Sequence, residues 1–178
     1  FSSNSNLSSI FKLKLEGKVK HYFEDVRDLS KMTEIISNEK PDFLFHLAAQ
    51  PIVSVSYNYP IESISSNVMG TANILEALKT SNHECVAVII TSDKAYDNVE
   101  WVWGYRESDR LGGKDPYSAS KGMAELAIRS FVDSYFSGYE SNVRVGITRA
   151  GNVIGGGDWA VDRIVPDCMQ SWAKGENV

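Results

Sequence analysis

The chain has 178 residues, 43% of them hydrophobic and 23% charged, with a formal net charge of −5. That length supports one sizeable core, and an acidic balance without any block of Lys or Arg argues against nucleic acid or an anionic membrane as partner. Cys85 and Cys168 stand far apart with no metal-ligand company, which reads as reduced, buried thiols in a cytoplasmic protein without a metal site; no apolar run reaches the length of a membrane span, and no secretory signal is present.

Residues 1–17 are rich in Ser and Asn and read as a loop followed by a short helix. Val19–Phe23 is a strand candidate. Asp28 or Ser30 then caps a helix of about ten residues that must end before Pro41. Phe43–Leu47 is a continuously apolar strand. Pro60 opens a long helix in which Ile61, Ile64, Val68, Ala72, Leu75 and Leu78 form one apolar stripe. Val86–Ile90 is a further strand, ending in Thr91-Ser92-Asp93-Lys94. Residues 93–115 form a Gly- and Trp-containing loop, and a loop that long in a compact domain is usually functional. Pro116 starts the helix that carries Tyr117 and Lys121. Val143–Thr148 is a fourth strand, Gly151–Gly157 a glycine-rich loop, and a last helix begins near Ile164.

Apolar strands alternating with amphipathic helices predict an α/β fold, a doubly wound parallel sheet covered on both faces. Ligands of such sheets lie beyond the carboxyl ends of the strands. Asp25, the Ala48-Ala49-Gln50 turn, Ser92 to Lys94 and Arg149 to Asn152 all fall on that rim.

The rim also carries a chemical proposition. Tyr117 and Lys121 are four apart and share a helix face. The ammonium favours the phenolate and brings the phenol towards use as a base near neutral pH. Ser92, ending a buried strand, can hold the same substrate oxygen. The set suits taking a proton from an alcohol while hydride leaves its carbon for a nicotinamide. Tyr-x-x-x-Lys alone is also compatible with a half-buried Tyr beside a solvated Lys; the Ser-ended strand favours the redox reading.

His46-Leu47-Ala48-Ala49-Gln50, Asn67-Val68-Met69-Gly70-Thr71, the Ser-ended strand and Tyr117-x-x-x-Lys121 resemble the extended short-chain dehydrogenase/reductases that act on nucleotide sugars. The segments Thr91–Asn98, Glu100–Glu107, Arg149–Ala160 and Asp162–Asp167 are similar to those of the CDP-glucose 4,6-dehydratases within that family. The resemblance implies a Rossmann-like fold, with 1–150 a partial NAD-binding domain and 151–178 the start of the sugar-nucleotide region. The family's opening strand and Gly-x-x-Gly-x-x-Gly turn are absent. The expectation is a fragment lacking the first strand–helix–strand and most of the C-terminal substrate domain.

By the same resemblance, Asp25 and Val26 flank the adenine of NAD, and Leu47, Ala48 and Ala49 let backbone approach the pyrophosphate. Gln50 points towards the sugar, and Asn152 and Arg163 meet the substrate diphosphate. Each has a plainer alternative in a cap, a strand end or a solvated face. Asn67 and His46 read as structural. Trp101, Trp103 and Tyr105 are either a wall over the sugar or a loop packed on its own aromatics. The implied reaction is NAD-dependent loss of water from CDP-glucose, giving CDP-4-keto-6-deoxyglucose. Elimination needs an acid and a base beyond Ser92, Tyr117 and Lys121, and Asp93 and Lys94 supply them. The related dTDP-glucose dehydratases carry Asp-Glu where this chain has Asp93-Lys94. A nucleotide-sugar epimerase or decarboxylase on the same scaffold, and a non-catalytic nucleotide-sensing protein, are the alternatives. A homodimer is implied, formed as a four-helix bundle from the helices beginning at Pro60 and Pro116.

Overall fold

A computed structural model describes residues 18–155, 157–158, 160 and 162–178. The chain divides into two units, one of residues 24–151 and one that joins residues 1–23 with 152–178.

In the first unit, Asp28 caps helix α1 (Leu29–Glu39), its carboxylate accepting from the Lys31 N–H at 3.0 Å. The helix stops at Lys40, whose φ of 45° is left-handed, ahead of Pro41. Strand β1 is Phe43–His46. Helix α2 (Val53–Asn58) is followed by α3 (Pro60–Ile64), which runs through a π turn at Ser65–Met69 into α4 (Gly70–Lys79). Strand β2 is Cys85–Ser92. Helix α5 (Pro116–Phe131) is capped by Asp115, which accepts from the Ser118 N–H at 2.9 Å, and β3 is Val143–Ala150. The strands lie in the order β1-β2-β3, all parallel, with Phe43 opposite Val86 and Cys85 opposite Val143. Three parallel strands connected by helices make the Rossmann-like α/β arrangement expected from the alternating pattern.

The core lies on one side of this sheet. Leu75, Ala77, Leu78, Ala87 and Ile128 are fully buried, with Ile36, Ile89 and Val143 around them. On the opposite face Phe43, Phe45 and Val86 are 66%, 62% and 41% exposed. Cover on both faces is therefore not seen among the described residues: the helices α1, α4 and α5 all supply the core on the side of Leu44, Ala87 and Ile89. Nor is 19–23 a strand. A strand needs a ladder neighbour, and none pairs with this segment among the described residues.

The stripe expected along the Pro60 helix is also displaced. Its second half, Leu75 and Leu78, is core, but Ile61 is 76% exposed, and the buried positions before the π turn and within it are Ser63 and Asn67. An i→i+5 turn shifts the phase of the residues around it, so a single stripe cannot face one way throughout. In the second unit, α6 (Ile164–Lys174) ends at Gly175 with φ 74° and buries none of its side chains.

His46 closes β1 inside the core, 5% exposed, with Nε2 3.0 Å from Thr71 Oγ1. Burial, with the Lys121 charge adding to it, pushes its pKa down to about 4. Between that value and the ordinary pKa of about 6.5, the unfolded imidazole binds a proton that the folded one refuses. Stability should therefore fall as pH drops from about 6.5 to about 4, by on the order of 3 kcal/mol. Urea unfolding of the full-length protein across that range checks this. His46→Gln should flatten that limb, and a slope unchanged in the variant refutes the assignment.

Candidate active site

The site starts where β2 ends. Ser92 is 7% exposed and extended. Its hydroxyl donates to Asp93 Oδ1 at 3.1 Å and accepts from the Lys94 N–H at 3.2 Å, capping a single 3₁₀ turn, Asp93–Ala95. The cap turns the chain so that Asp93 and Lys94 are exposed while Ala95 is buried. Asp93 Oδ2 is 3.8 Å from where a Cβ on Gly151 would stand, so the end of β3 borders the same turn.

Helix α5 packs against this turn. A Cβ on Gly122 would meet Gly112 O at 2.9 Å and Ala95 O at 3.5 Å, and one on Gly113 would lie 2.3 Å from Ala119 N. Glycine at these two positions lets the end of the long loop lie directly on the helix. Tyr117 and Lys121 are each 8% exposed on the inner face of α5. Lys121 Nζ is 6.0 Å from the centre of the Tyr117 ring. Burial pushes the pKa of this ammonium below its ordinary value. The helix is held by polar pins. The Tyr117 N–H donates to Ser56 Oγ at 3.1 Å. Ser120 Oγ accepts from Asn67 Nδ2 at 2.8 Å and donates to Tyr117 O at 2.7 Å.

Asn67, buried in the π turn, also clamps the turn after β1. Its Oδ1 accepts from the Gln50 N–H at 2.7 Å, and its Nδ2 donates to Gln50 O at 3.1 Å. Its role is therefore structural, as its place in a long helix suggested. Gln50 requires a correction. Its amide donates to Ile52 O and Ser63 Oγ, both at 3.0 Å, and accepts from the Ile52 N–H. A buried amide must satisfy both ends, and here the protein satisfies them, so the side chain turns inward rather than to a sugar. Leu47 and Ala48 are exposed at the strand end, and Ala49 is half-buried.

Asp25 lies on its own clamp. Arg27 donates to it from the backbone at 2.8 Å and from the guanidinium at 2.5 to 3.0 Å. Hydrogen bonds from the Arg27 side chain, then from its backbone, lower the carboxyl pKa to about 2. Val26 lies over Gly70, whose missing Cβ would stand 2.7 Å from Val26 Cγ2. Asn73 Nδ2 holds the carbonyls of Val26 and Arg27 at 3.0 and 2.9 Å.

Ser92, Asp93, Lys94, Tyr117, Lys121, Asp25, Val26 and Leu47 to Gln50 thus all lie in the sheet unit. Asn152 and Arg163 belong to the other. There Arg163 Nε makes a charge contact with Asp158 at 3.4 Å without hydrogen-bond geometry. In the long loop, Tyr96 stacks on Tyr105 at 4.8 Å, and Tyr105 leans on Trp101 at 5.5 Å. Trp103 is 75% exposed. The loop therefore packs on its own aromatics while leaving Trp103 outside.

Sequence reasoning missed Glu125, which is fully buried. It accepts from Thr91 Oγ1 and Arg149 Nε at 2.7 Å each, and from Arg149 Nη2 at 2.5 Å. A signal existed: Glu125 follows Lys121 by four, as Lys121 follows Tyr117, so all three share one face.

The family model described as GDP-mannose 4,6 dehydratase matches residues 1–174. A curated CDP-glucose 4,6-dehydratase of Salmonella typhimurium is 48% identical over 174 residues, which is 96% of this chain and 48% of that protein. A CDP-paratose 2-epimerase of Salmonella typhi is 32% identical over 116 residues, 57% of this chain and 34% of that one. The chain thus spans about half the length of its Salmonella typhimurium relative. Among solved structures, a dTDP-glucose 4,6-dehydratase from Streptomyces venezuelae with NAD and TYD bound superposes with a TM-score of 0.82 at 22% identity, covering 96% of this chain and 49% of that one. A UDP-glucose 4-epimerase of Thermotoga maritima with UDP-glucose gives 0.76 at 24%, covering 88% and 50%. With the Ser-ended strand and the buried Tyr-Lys pair in place, the chain belongs to the GDP-mannose 4,6 dehydratase family of extended short-chain dehydrogenase/reductases.

Proposed function

We propose that the full-length protein converts CDP-glucose to CDP-4-keto-6-deoxyglucose, as an NAD-dependent hydro-lyase of the cytoplasm. The observation that carries this reading is the Ser92-Asp93-Lys94 turn packed against the helix of Tyr117 and Lys121. The 48% identity to a CDP-glucose 4,6-dehydratase supports CDP as the nucleotide. The cytoplasm is supported by the two free cysteines; no helix among the described residues is long and apolar enough to cross a membrane.

The rim fits a dinucleotide. Exposed residues Leu47 and Ala48 at the end of β1 support the approach of a pyrophosphate, Val26 is fixed beside α4 by Asn73, and Asp25 is held by Arg27. NAD, when bound, supplies the hydride acceptor for C4 of the sugar and the hydride later returned to C6. Tyr117 takes the proton of the C4 hydroxyl, with the buried Lys121 charge favouring the phenolate. Ser92 holds the same oxygen. The C4 ketone acidifies the C5 proton. Asp93 and Lys94, exposed beside Ser92, serve as the acid that protonates the leaving C6 hydroxyl and the base that takes the C5 proton. Asn152 and Arg163 are assigned to the substrate diphosphate by family resemblance. Residues 1–150 are assigned to the cofactor domain and 151–178 to the sugar-nucleotide region.

Exposed apolar side chains on the helices that begin at Pro60 and Pro116 support a homodimer. Ile61 and Met69 on α3 and the π turn are 76% and 53% exposed, and Met123 and Leu126 on α5 are 37% and 57% exposed. Such apolar faces on two adjacent helices suit a four-helix bundle with a second copy.

Tyr117→Phe in the full-length protein should lower turnover by at least about 10² while leaving the melting temperature in place; near-normal turnover refutes the base assignment. Asp93→Asn should still oxidise C4 but slow loss of the C6 hydroxyl by about 10²–10⁴, so that reduced nicotinamide accumulates in its absorbance band. Lys94→Met should slow exchange of the C5 proton into heavy water. Wild-type rates in both variants would transfer the case to the epimerase reading. Leu126→Glu should shift the full-length protein towards monomer in sedimentation at micromolar concentration, and an unchanged dimer would place the interface elsewhere.

A further inference from the structure

Helix α5 carries Tyr117, Lys121 and Glu125 on one face, and the third of these is not used by the chemistry above. Glu125 is fully buried, yet its carboxylate is shared among three elements. Thr91, the residue before Ser92, donates to Oε1 at 2.7 Å. Arg149, near the end of β3, closes a two-pronged pair on both oxygens. Arg149 then reaches further. Its guanidinium lies 4.4 Å from the centre of the Tyr96 ring, and its Nη1 donates to Glu107 O at 3.3 Å. Arg129, one turn beyond Glu125, donates to the same carbonyl at 3.3 Å. Tyr96 and Glu107 both belong to the aromatic loop. Tyr96 passes the contact to Tyr105 and so to Trp101.

We propose that Glu125 is a positioning residue: with Arg149 it locks the strand end of Ser92, the helix of Tyr117 and the aromatic loop into one body, so that seating the loop and seating the phenol are a single event. The proposal rests on the reading of Ser92, Tyr117 and Lys121 as the oxidising apparatus. A buried ion pair is a poor device for stability alone, since apolar residues of similar volume often do as well. What apolar residues do not supply is direction. The two-pronged pair fixes Arg149 in a plane, and that plane is what Tyr96 and the Glu107 carbonyl meet. A misplacement of about 1 Å between reacting groups can cost about a hundredfold in rate, so a tie between the loop and the helix bears directly on hydride transfer.

The test uses Glu125→Gln and Tyr96→Leu in the full-length protein, with melting temperature recorded. One readout is the rate of tryptic cleavage at Arg106 and Arg110, both exposed in the loop. The other is single-turnover reduction of the nicotinamide with CDP-glucose. Glu125→Gln should raise loop cleavage about tenfold and slow hydride transfer by about ten- to a hundredfold, with KM within about threefold of the parent. Tyr96→Leu keeps the buried charges paired and should shift both readouts the same way without lowering the melting temperature. If Glu125→Gln does not fold, Tyr96→Leu decides alone. Raised cleavage with parental hydride transfer in a folded variant overturns the coupling, as does unchanged cleavage in both variants. A parent inactive on CDP-glucose sinks the functional reading instead; the cleavage rates then still uphold or overturn the tie between Glu125 and the loop.

Discussion

A carboxylate taken out of water must be met by charge and by donors, or it does not stay ionised. Glu125 is met on every side: by Thr91 from β2 and by both prongs of Arg149 from β3. Removing one partner of such a pair typically costs about 3–5 kcal/mol, because the other charge is left stranded. The consequence reaches beyond stability. Thr91 immediately precedes Ser92, and Glu125 stands one helical turn beyond Lys121, so the geometry that satisfies the carboxylate also sets how far α5 slides along the sheet. The other pins agree with it. Ser56 holds the Tyr117 N–H, Asn67 holds Ser120, and Gly113 lets the loop rest on the first turns of the helix. Four contacts with different chemistry hold one helix in one register.

The parts of this arrangement that were legible in the sequence are those governed by local rules. Asp28 caps its helix as a short acceptor should, Pro60 and Pro116 begin theirs, and one helix ends before Pro41. The Ser-ended strand and Tyr-x-x-x-Lys were readable because spacing on a helix fixes which side chains share a face. What could not be read is set by partners distant in the chain. The Gln50 amide turned inward because Ser63 and Ile52 were waiting for it, and nothing within 47–50 announces them. Arg149 was placed on the rim correctly, but its partner is 24 residues away on another element. The 19–23 segment had strand composition, but composition cannot supply a neighbouring strand.

The displaced stripe shows how a periodic pattern can be real and still be misassigned. Ile61, Val68, Leu75 and Leu78 do repeat at helical spacing, yet the π turn at Ser65–Met69 breaks the phase, and Ile61 turns outward while Leu75 and Leu78 enter the core. What faces inward before the π turn and within it is Ser63 and Asn67, polar groups that carry the turn after β1 and Ser120. An apolar stripe there would have packed more simply and held neither. The extra residue of the π turn therefore separates two jobs along one helix: polar support for the site on the inner face, and an apolar surface on the outer one.

The same division appears in the site itself. Ser92, Tyr117 and Lys121 are 7–8% exposed and fixed by packing, whereas Asp93 and Lys94 stand open on the single turn that Ser92 caps. On the proposed reading, removing a proton from an alcohol as hydride departs would demand closely set groups, and burial would provide that. An acid and a base that act on the neighbouring carbons need access to atoms that change hybridisation during the reaction. A turn at the lip of the strand, hinged on one hydroxyl, places them within reach of the buried groups without burying their charges. On the proposed reading, Ser92, which both ends the strand and caps the turn, would tie the oxidising half of the chemistry to the eliminating half. The short spacing Ser92-Asp93-Lys94 places a buried and an exposed environment side by side.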